Sequence, residues 1–293
     1  MMKAKYINPF TDFGFKKIFG EEASKPLLID FLKSLLPESN IVDLTFKDKD
    51  QMGRTEEDRK AIYDIYCENN LGEKIIVELQ KAKQNYFKDR TVYYSTFPIQ
   101  EQAERGEWNY KLKYVYCVGI LDFKFEEKVT NGEGEVIHTV QLKDQNNKVF
   151  YEKLKFVYLE MPHFVKSETD LANRLDKWLY FIKHLEDFQS IPEVFKDEVF
   201  IQAFEKAEIA KYSEAERHDY EQSLKVFRDN KAVYEYAVNT AFDEGKVEGK
   251  LEGKLEGKLE RSMEVAKSAK QMGLSTADII KLTGLSESEI NKL

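Results

Sequence analysis

Two acidic residues and an amide interrupt what the sequence predicts to be a hairpin of two apolar strands. The stretch AIYDIYCENNLGEKIIVELQ places Asp64 in the first arm and Glu78 and Gln80 in the second. Residues two apart on a strand share a face, so Glu78 and Gln80 are predicted to lie together. Asp64 and Glu78 are symmetric about Leu71 in the turn. This symmetry predicts that they oppose each other, with Cβ atoms roughly 5 Å apart.

Such a pair of carboxylates points to metal chemistry. A buried carboxylate is costly unless it is paired or coordinates a metal, and like charges placed opposite each other repel. A divalent cation between Asp64 and Glu78 resolves both problems, and oxygen ligands suit Mg²⁺ or Mn²⁺. Such an ion polarises a phosphate and lowers the pKa of a bound water, as phosphodiester hydrolysis requires. The alternative is that both acids lie on a solvated face, paired with Lys or Arg.

Several other polar and charged residues are candidates for supporting roles beside the pair. Gln80 can orient a water or a phosphate oxygen, and Arg90 on the following helix can hold a phosphate through two hydrogen bonds. A structural ion pair is the alternative for Arg90. Asp12 is a further candidate acid, and its alternative role is that of a helix N-cap. The basic residues that form a predicted phosphate-binding surface are Arg59, Lys60, Lys81, Lys83, Lys88 and Arg90.

The elements that position these residues follow from periodicity and capping signals. Two helices are predicted first, in FGFKKIFG after a cap at Thr11 or Asp12, and in SKPLLIDFLKSLLP. A strand in IVDLTFKDKD precedes the hairpin, a helix runs from Lys83 to about Gly106, and KYVYCVGILDF is a buried strand. Two further strands follow, in EVIHTVQLKD and KVFYEKLKFVYLEM, and from Glu168 onward the chain is predicted to be helical.

Aromatic residues on the predicted helices are expected to be core. Tyr86, Tyr93 and Phe97 recur at helical intervals after the hairpin, and Trp178 lies in the helical segment DKWLYF. Glu160 interrupts an apolar strand as Glu78 does, but the sequence offers no partner for it.

A repeat, EGKVEGKLEGKLEGKLER, occupies residues 244–261. Because its period of four is close to the 3.6 residues of a helical turn, residues of each type form a slowly winding row along a helix. The Val/Leu row lies opposite the Gly row, and the Glu and Lys rows lie on opposite flanks. Within one helix this pairs like charges at i,i+4, and each glycine costs about 1 kcal/mol relative to alanine. Two such helices could match Glu to Lys rows and bury a leucine seam, which predicts a homodimer or higher homo-oligomer. The alternative is a solvated, partly frayed spacer.

The last segment predicts short helices with serine caps at Ser275 and Ser286, each followed three residues later by an acid. The pattern is similar to a small helix-turn-helix, which favours either DNA binding or a protein-interaction bundle.

Composition narrows the class of protein. The formal net charge of −8 lacks the basic footprint of a DNA-coating protein but leaves an enzyme with a local basic patch possible. Two cysteines in apolar segments favour reduced thiols, and four scattered histidines do not favour a zinc site. We expect no membrane span and no signal peptide, and therefore a cytoplasmic protein.

The spacing of Asp64 from Glu78-Leu79-Gln80 resembles the active-site pattern of PD-(D/E)XK nucleases, with Gln80 at the usual lysine position. The longer stretches NPFTDFGFKKIFG, FKDRTVYYSTFPIQEQ and LDKWLYF, together with the repeat and the C-terminal end, are similar to the Rpn family of recombination-promoting nucleases and putative transposases. The resemblance covers nearly the whole chain.

The resemblance implies an α/β, restriction-endonuclease-like core and a Mg²⁺- or Mn²⁺-dependent DNA endonuclease linked to recombination or mobile elements. Asp64 and Glu78 would bind the metal, and Gln80 would take the lysine's place without its charge. Lys83, or failing that Lys81, would then supply the charge. The expected organisation is a nuclease-like core over 1–165, a helical region over 166–243, the repeat helix over 244–261 and the small helical end over 262–293.

The sequence leaves two alternatives to a DNA endonuclease open. The first is a catalytically silent DNA- or protein-binding module that retains the nuclease fold. The second is an acid-rich helical interaction protein whose α/β part is only a scaffold.

Overall fold

The structure is a computed structural model that describes residues 4–51, 61–104, 106–125 and 134–293. Two of the predicted phosphate-binding residues, Arg59 and Lys60, lie outside these ranges. The chain divides into two units, Met1–Asn230 and Lys231–Leu293. The predicted α/β fold class is confirmed, since a mixed sheet with flanking helices is followed by a helical C-terminal region.

The sheet of the first unit has six strands in the order β1-β4-β5-β6-β8-β7. β5 and β6 pair in parallel, as do β6 and β8, and the other neighbours are antiparallel. The short strands β2 (Asp50–Gln51) and β3 (Ala61–Ile62) form a separate pair. The strands of the main sheet are β1 (Leu44–Phe46), β4 (Ile65–Asn69), β5 (Lys74–Gln80), β6 (Val115–Leu121), β7 (Ile137–Lys143) and β8 (Val149–Glu160).

The larger core covers one face of this sheet. Four helices contribute to it: α1 (Asp12–Phe19), α2 (Lys25–Leu35), α4 (Arg174–His184) and α5 (Glu198–Ala207). α1 begins where predicted, because the Thr11 side chain accepts a hydrogen bond from the Gly14 backbone amide at 3.0 Å. Thr11 is therefore the N-cap, and the alternative of Asp12 as the cap is wrong.

The opposite face is covered by α3 (Phe87–Glu101). This helix is shorter at both ends than the prediction, which ran from Lys83 to about Gly106. It begins only at Phe87 because Tyr86 precedes it in the left-handed conformation (φ 60°), which interrupts helical geometry. The prediction that Tyr86 and Tyr93 are core is wrong: their exposed fractions are 80% and 44%. Phe87, Ser95 and Pro98 are the buried residues of α3.

The hairpin pairs in the predicted register. Ile65 lies opposite Val77, and continuing this register by one residue places Asp64 opposite Glu78. The regular ladder ends at Ile65, and Asp64 lies in a bend just before β4. Gly72 closes the turn at φ 78°, a conformation that glycine adopts without strain.

The C-terminal residues are helical, as predicted. α6 spans Glu214–Gln271 and is followed by α7 (Thr276–Thr283) and α8 (Glu287–Asn291). Ser275 and Ser286 cap the last two helices, each accepting a hydrogen bond from the amide three residues on. A small buried cluster joins the end of α6 to α7 and α8, formed by Ala266, Ala269, Ile279, Leu285 and Ile290. None of the helices in the described ranges is both long and apolar enough to cross a membrane.

Trp178 on α4 is the largest fully buried side chain, which agrees with the predicted packing role. Its indole nitrogen donates a hydrogen bond to Asp30 Oδ1 at 2.6 Å. The rings around it belong to Phe19, Phe31, Phe181 and Phe200.

We expect Trp178→Phe to lower the free energy of unfolding by about 2 kcal/mol, since it leaves a cavity and removes the bond to Asp30. Urea unfolding followed by circular dichroism measures this change. The other tryptophan, Trp108, lies in a loop against Tyr110 and provides a matched control. Trp108→Phe should change the free energy by less than about 0.5 kcal/mol. Equal effects of the two substitutions would contradict the central role of Trp178.

Candidate active site

Asp64 and Glu78 meet at the end of the hairpin, linked through backbone amides. The Asp64 amide donates to Glu78 Oε1 at 3.2 Å, and the Leu79 amide donates to Asp64 Oδ2 at 2.7 Å. Asp64 can reach the Leu79 amide because its own strand has already bent out of the ladder. Both acids are partly buried, so the solvated-face alternative does not describe them.

Burial and mutual repulsion disfavour two negative charges at this position. Burial, followed by the charge of Asp64, raises the pKa of Glu78 to about 8. Burial also raises the pKa of Asp64, although the hydrogen bond from the Leu79 amide opposes that change. Without a cation, the pair therefore retains a proton at neutral pH, which is the electrostatic situation that a bound cation relieves.

Gln80 connects this pair to α3. Its Nε2 donates to Glu78 Oε2 at 3.2 Å, and its Oε1 accepts a hydrogen bond from the guanidinium of Arg90 at 2.5 Å. Arg90 lies over the rings of Phe87 and Tyr94, 5.8 Å from each centroid, and also donates to Gln84. Arg90 therefore brings a positive charge to the carboxylate pair, and that charge opposes the rise in the pKa of Glu78.

A second group of charges lies on the α1 side of Asp64. The charges of Asp12, Lys16 and Lys81 all act on the pKa of Asp64. Asp12 is itself paired with Lys16 at 3.1 Å, one helical turn along α1. Burial lowers the pKa of Lys81, and burial followed by the charge of Lys16 lowers that of Lys49. Asp64 thus has lysines on one side and, through Glu78 and Gln80, an arginine on the other.

A narrow cavity adjoins Glu78 and Gln80 beneath α3. Its volume is about 20 Å³, enough for a water molecule. Gly119 lies opposite Glu78 on β6, where an added Cβ would approach Tyr158 Cδ1 to 2.8 Å. The Tyr158 hydroxyl is 2.8 Å from Thr91 Oγ1 on α3.

Sequence reasoning missed five residues of this environment: Lys16, Lys49, Thr91, Gly119 and Tyr158. They come from separate segments that only the fold brings together. Gly119 alone carried a signal, as a glycine within an otherwise apolar strand, which often marks a close approach.

Two predicted basic residues are exposed. Lys83 lies in the loop between β5 and α3. Lys88 is exposed on α3, with its ammonium 5.2 Å from the centre of the Phe125 ring. That ring belongs to a neighbouring cavity, which also contains Glu160.

Glu160 has the partners that the sequence did not reveal. Its oxygens lie 3.1 Å from His138 Nε2 on β7 and 3.2 Å from His163 Nδ1. This fully buried carboxylate is therefore held between two imidazoles. Its partners explain how the apolar end of β8 tolerates an acid.

The donor set at the hairpin fits a hard divalent cation. Within the described ranges, no three His, Cys, Asp or Glu side chains are grouped as metal ligands. Mg²⁺ is commonly held by one or two carboxylates while it keeps several of its waters. Asp64 and Glu78 meet that requirement, and burial raises the pKa of both carboxyls in the absence of a cation.

Comparison with known protein families gives a match. Residues 9–237 match the model of the PD-(D/E)XK nuclease family transposases, which covers well over half of the chain. No curated protein and no solved structure matches.

We expect the metal-free protein to lose stability as pH rises. Since folding raises the pKa of Glu78 from about 4.5 to about 8, the folded state binds a proton that the unfolded state releases. The resulting stabilisation is complete below pH 4.5 and is lost by pH 8. In EDTA, Glu78→Gln should flatten this dependence and raise the free energy of unfolding at pH 8 by roughly 2 kcal/mol.

Urea denaturation between pH 5 and pH 8.5 measures this effect. Glu221 is an exposed glutamate on α6, and Glu221→Gln should keep the dependence of the unsubstituted protein. A Glu78→Gln variant with an unaltered pH profile would show that Glu78 is ionised throughout.

Proposed function

Because the chain belongs to the PD-(D/E)XK nuclease family transposases, we propose that it is a metal-dependent DNA endonuclease centred on Asp64 and Glu78. The observation that carries the proposal is the carboxylate pair itself. Two partly buried acids are held together by backbone amides at 2.7 and 3.2 Å, although their charges repel. A purely structural role gives no reason to bring two acids together, whereas a divalent cation is bound by such carboxylate oxygens.

Asp64 and Glu78 are the residues that would hold Mg²⁺ or Mn²⁺. When bound, such an ion supplies charge neutralisation at the scissile phosphate and a lowered pKa for a coordinated water. The remaining work belongs to the chain. The Leu79 amide fixes one oxygen of Asp64, and the Gln80 amide fixes one oxygen of Glu78, so both carboxylates are oriented before a ligand arrives.

Gln80 departs from the family pattern because it is neutral. We propose that Arg90 supplies the missing positive charge, since its guanidinium bonds to Gln80 and acts electrostatically on Glu78. A guanidinium can hold two phosphate oxygens at once and stabilise the negative charge that develops during hydrolysis. Lys81 is a second source of charge, on the α1 side of Asp64. Lys83 is the source of charge that the sequence predicts, and it is the alternative to Arg90.

DNA is the proposed substrate, and its backbone would contact the basic side chains near the pair. Lys16, Lys49 and Lys81 lie on the α1 side, and their positive charge offsets the repulsion between phosphates and a chain of net charge −8. Lys88 would extend the contact surface along α3.

We further propose that the protein acts as a homodimer through the repeat segment, residues 244–261. An enzyme that cuts both strands of a duplex gains from two-fold symmetry, because the two strands are related in the same way. We also propose a role in recombination or in mobile elements, in the cytoplasm, and the support for this role is the family match alone.

The first test is nicking of supercoiled plasmid in Mg²⁺, Mn²⁺ or EDTA. We expect cleavage with either metal and none in EDTA, and Asp64→Asn should reduce the rate by roughly 100-fold or more. Arg90→Ala should have a comparable effect, whereas Lys83→Ala should stay within about twofold. The reverse ranking of these two substitutions would return the charge role to Lys83.

Asp89→Asn is the matched control, because Asp89 is an exposed acid on α3 beside Arg90. Its rate should equal that of the unsubstituted protein. Calorimetric titration with Mn²⁺ separates loss of metal from loss of catalysis. Folded protein that binds Mn²⁺ and DNA but never cleaves would replace the endonuclease with a catalytically silent DNA-binding module.

A further inference from the structure

The repeat segment of α6 exposes a row of large aliphatic side chains. The exposed fractions are 70% for Val247, 59% for Leu251, 61% for Leu255 and 44% for Leu259. All residues from 241 to 260 are exposed, and a Cβ added at any glycine of the repeat would meet nothing within 4 Å. A contiguous apolar row of this kind marks an interaction surface.

The charges of the repeat have a fixed handedness about this row. Successive residues are turned by about 100°, so Glu248 and Glu252 lie about 60° and 100° to one side of Leu251. Lys254 and Lys250 lie at the same angles on the other side. The whole segment repeats this arrangement, with a glutamate flank and a lysine flank bordering one apolar row.

This asymmetry distinguishes between the two ways of pairing identical helices. In a parallel pair related by a two-fold axis along the helices, the left flank of one helix lies beside the right flank of the other. Glutamates then face lysines on both sides of the seam. In an antiparallel pair the same flanks meet, so that glutamates face glutamates and lysines face lysines, which is unfavourable.

We propose that a second copy of this chain covers the apolar row, and that the two copies run parallel and in register. The inference rests on the proposed dimer and adds its orientation. Charge complementarity selects this partner, because each copy carries both flanks in the order that the other requires. The parallel pair also places opposite charges between helices, whereas a single helix has only like charges at i,i+4.

The contact is short and is centred on Leu251 and Leu255. Four residues turn the helix by about 400°, so the apolar row drifts about 40° per repeat and about 120° from Val247 to Leu259. A stripe whose period exceeds 3.6 residues winds in the right-handed sense. The two helices therefore cross, and the middle two leucines of the row lie nearest the crossing point.

Disulfide cross-linking of the full chain tests the orientation. Leu251→Cys and Leu255→Cys are made separately and oxidised mildly at micromolar concentration. In the parallel pair, the new cysteine of each variant forms a disulfide with the same position in the second copy. This reaction is roughly a hundredfold faster than by chance collision, because the partner thiol is present at millimolar effective concentration. An antiparallel pair can place at most one of these positions opposite itself.

Gly253→Cys is the matched control, since that residue lies on the opposite side of the helix and should cross-link only at the collision rate. The natural cysteines Cys67 and Cys117 are buried and do not interfere. Self-cross-linking of both leucine variants to a covalent dimer supports the proposal.

Two other outcomes would overturn it. Cross-links confined to mixtures of Leu251→Cys with Leu255→Cys, or to only one of the two variants alone, would exclude the parallel, in-register pair and leave the dimer intact. A monomeric mass by light scattering without cross-links would overturn the dimer as well. Neither result depends on cleavage, so the proposed endonuclease stands or falls separately.

Discussion

The repulsion between Asp64 and Glu78 is the constraint on which the first unit depends. Bringing two acids together in a partly buried position opposes folding. Stabilising interactions in the rest of the unit must offset this cost. β5 supplies a rigid support, because it is paired on both sides, antiparallel with β4 and parallel with β6. The large aromatic core on the α1 side and the smaller core under α3 hold that strand in place.

The sheet also separates the charges around the pair by type. Lysines lie on the α1 side of Asp64, and an arginine lies on the α3 side of Glu78. Arginine suits the α3 side because its guanidinium stacks on aromatic rings while bonding to an amide oxygen. The lysines on the other side are partly buried, and burial lowers the pKa of Lys81 and of Lys49. The two sides of the pair therefore carry different kinds of cation.

Local signals in the sequence were sufficient for much of the fold. Thr11 and the two C-terminal serines are caps because their side chains bond to nearby amides, and such contacts depend only on neighbours in the chain. The opposition of Asp64 and Glu78 follows from hairpin symmetry. α3 was predicted too long, and Tyr93 of this helix and Tyr86 just before it were wrongly assigned to the core. Helical spacing identifies a face without stating whether anything covers it.

The charge environment of the site could not be predicted in the same way. Arg90 reaches Gln80 only because α3 packs across the sheet, and Lys49 reaches Asp64 only because β2 and β3 pair beside it. The two histidines at Glu160 come from β7 and from the turn after β8, so their convergence depends on how those elements pack. Contacts of this kind depend on tertiary packing, which spacing along a strand or helix does not specify.

The start of α3 lies beside the small cavity that adjoins Glu78. The cavity beneath the helix admits about one water, so a larger ligand gains access from that side only when α3 moves. The first residue of α3, Phe87, follows Tyr86, a non-glycine residue with φ 60° whose side chain does not cap the helix. Such a backbone conformation costs of order 1–3 kcal/mol, and release of the helix start recovers it. Local opening at this end is therefore less costly than at a capped helix such as α1.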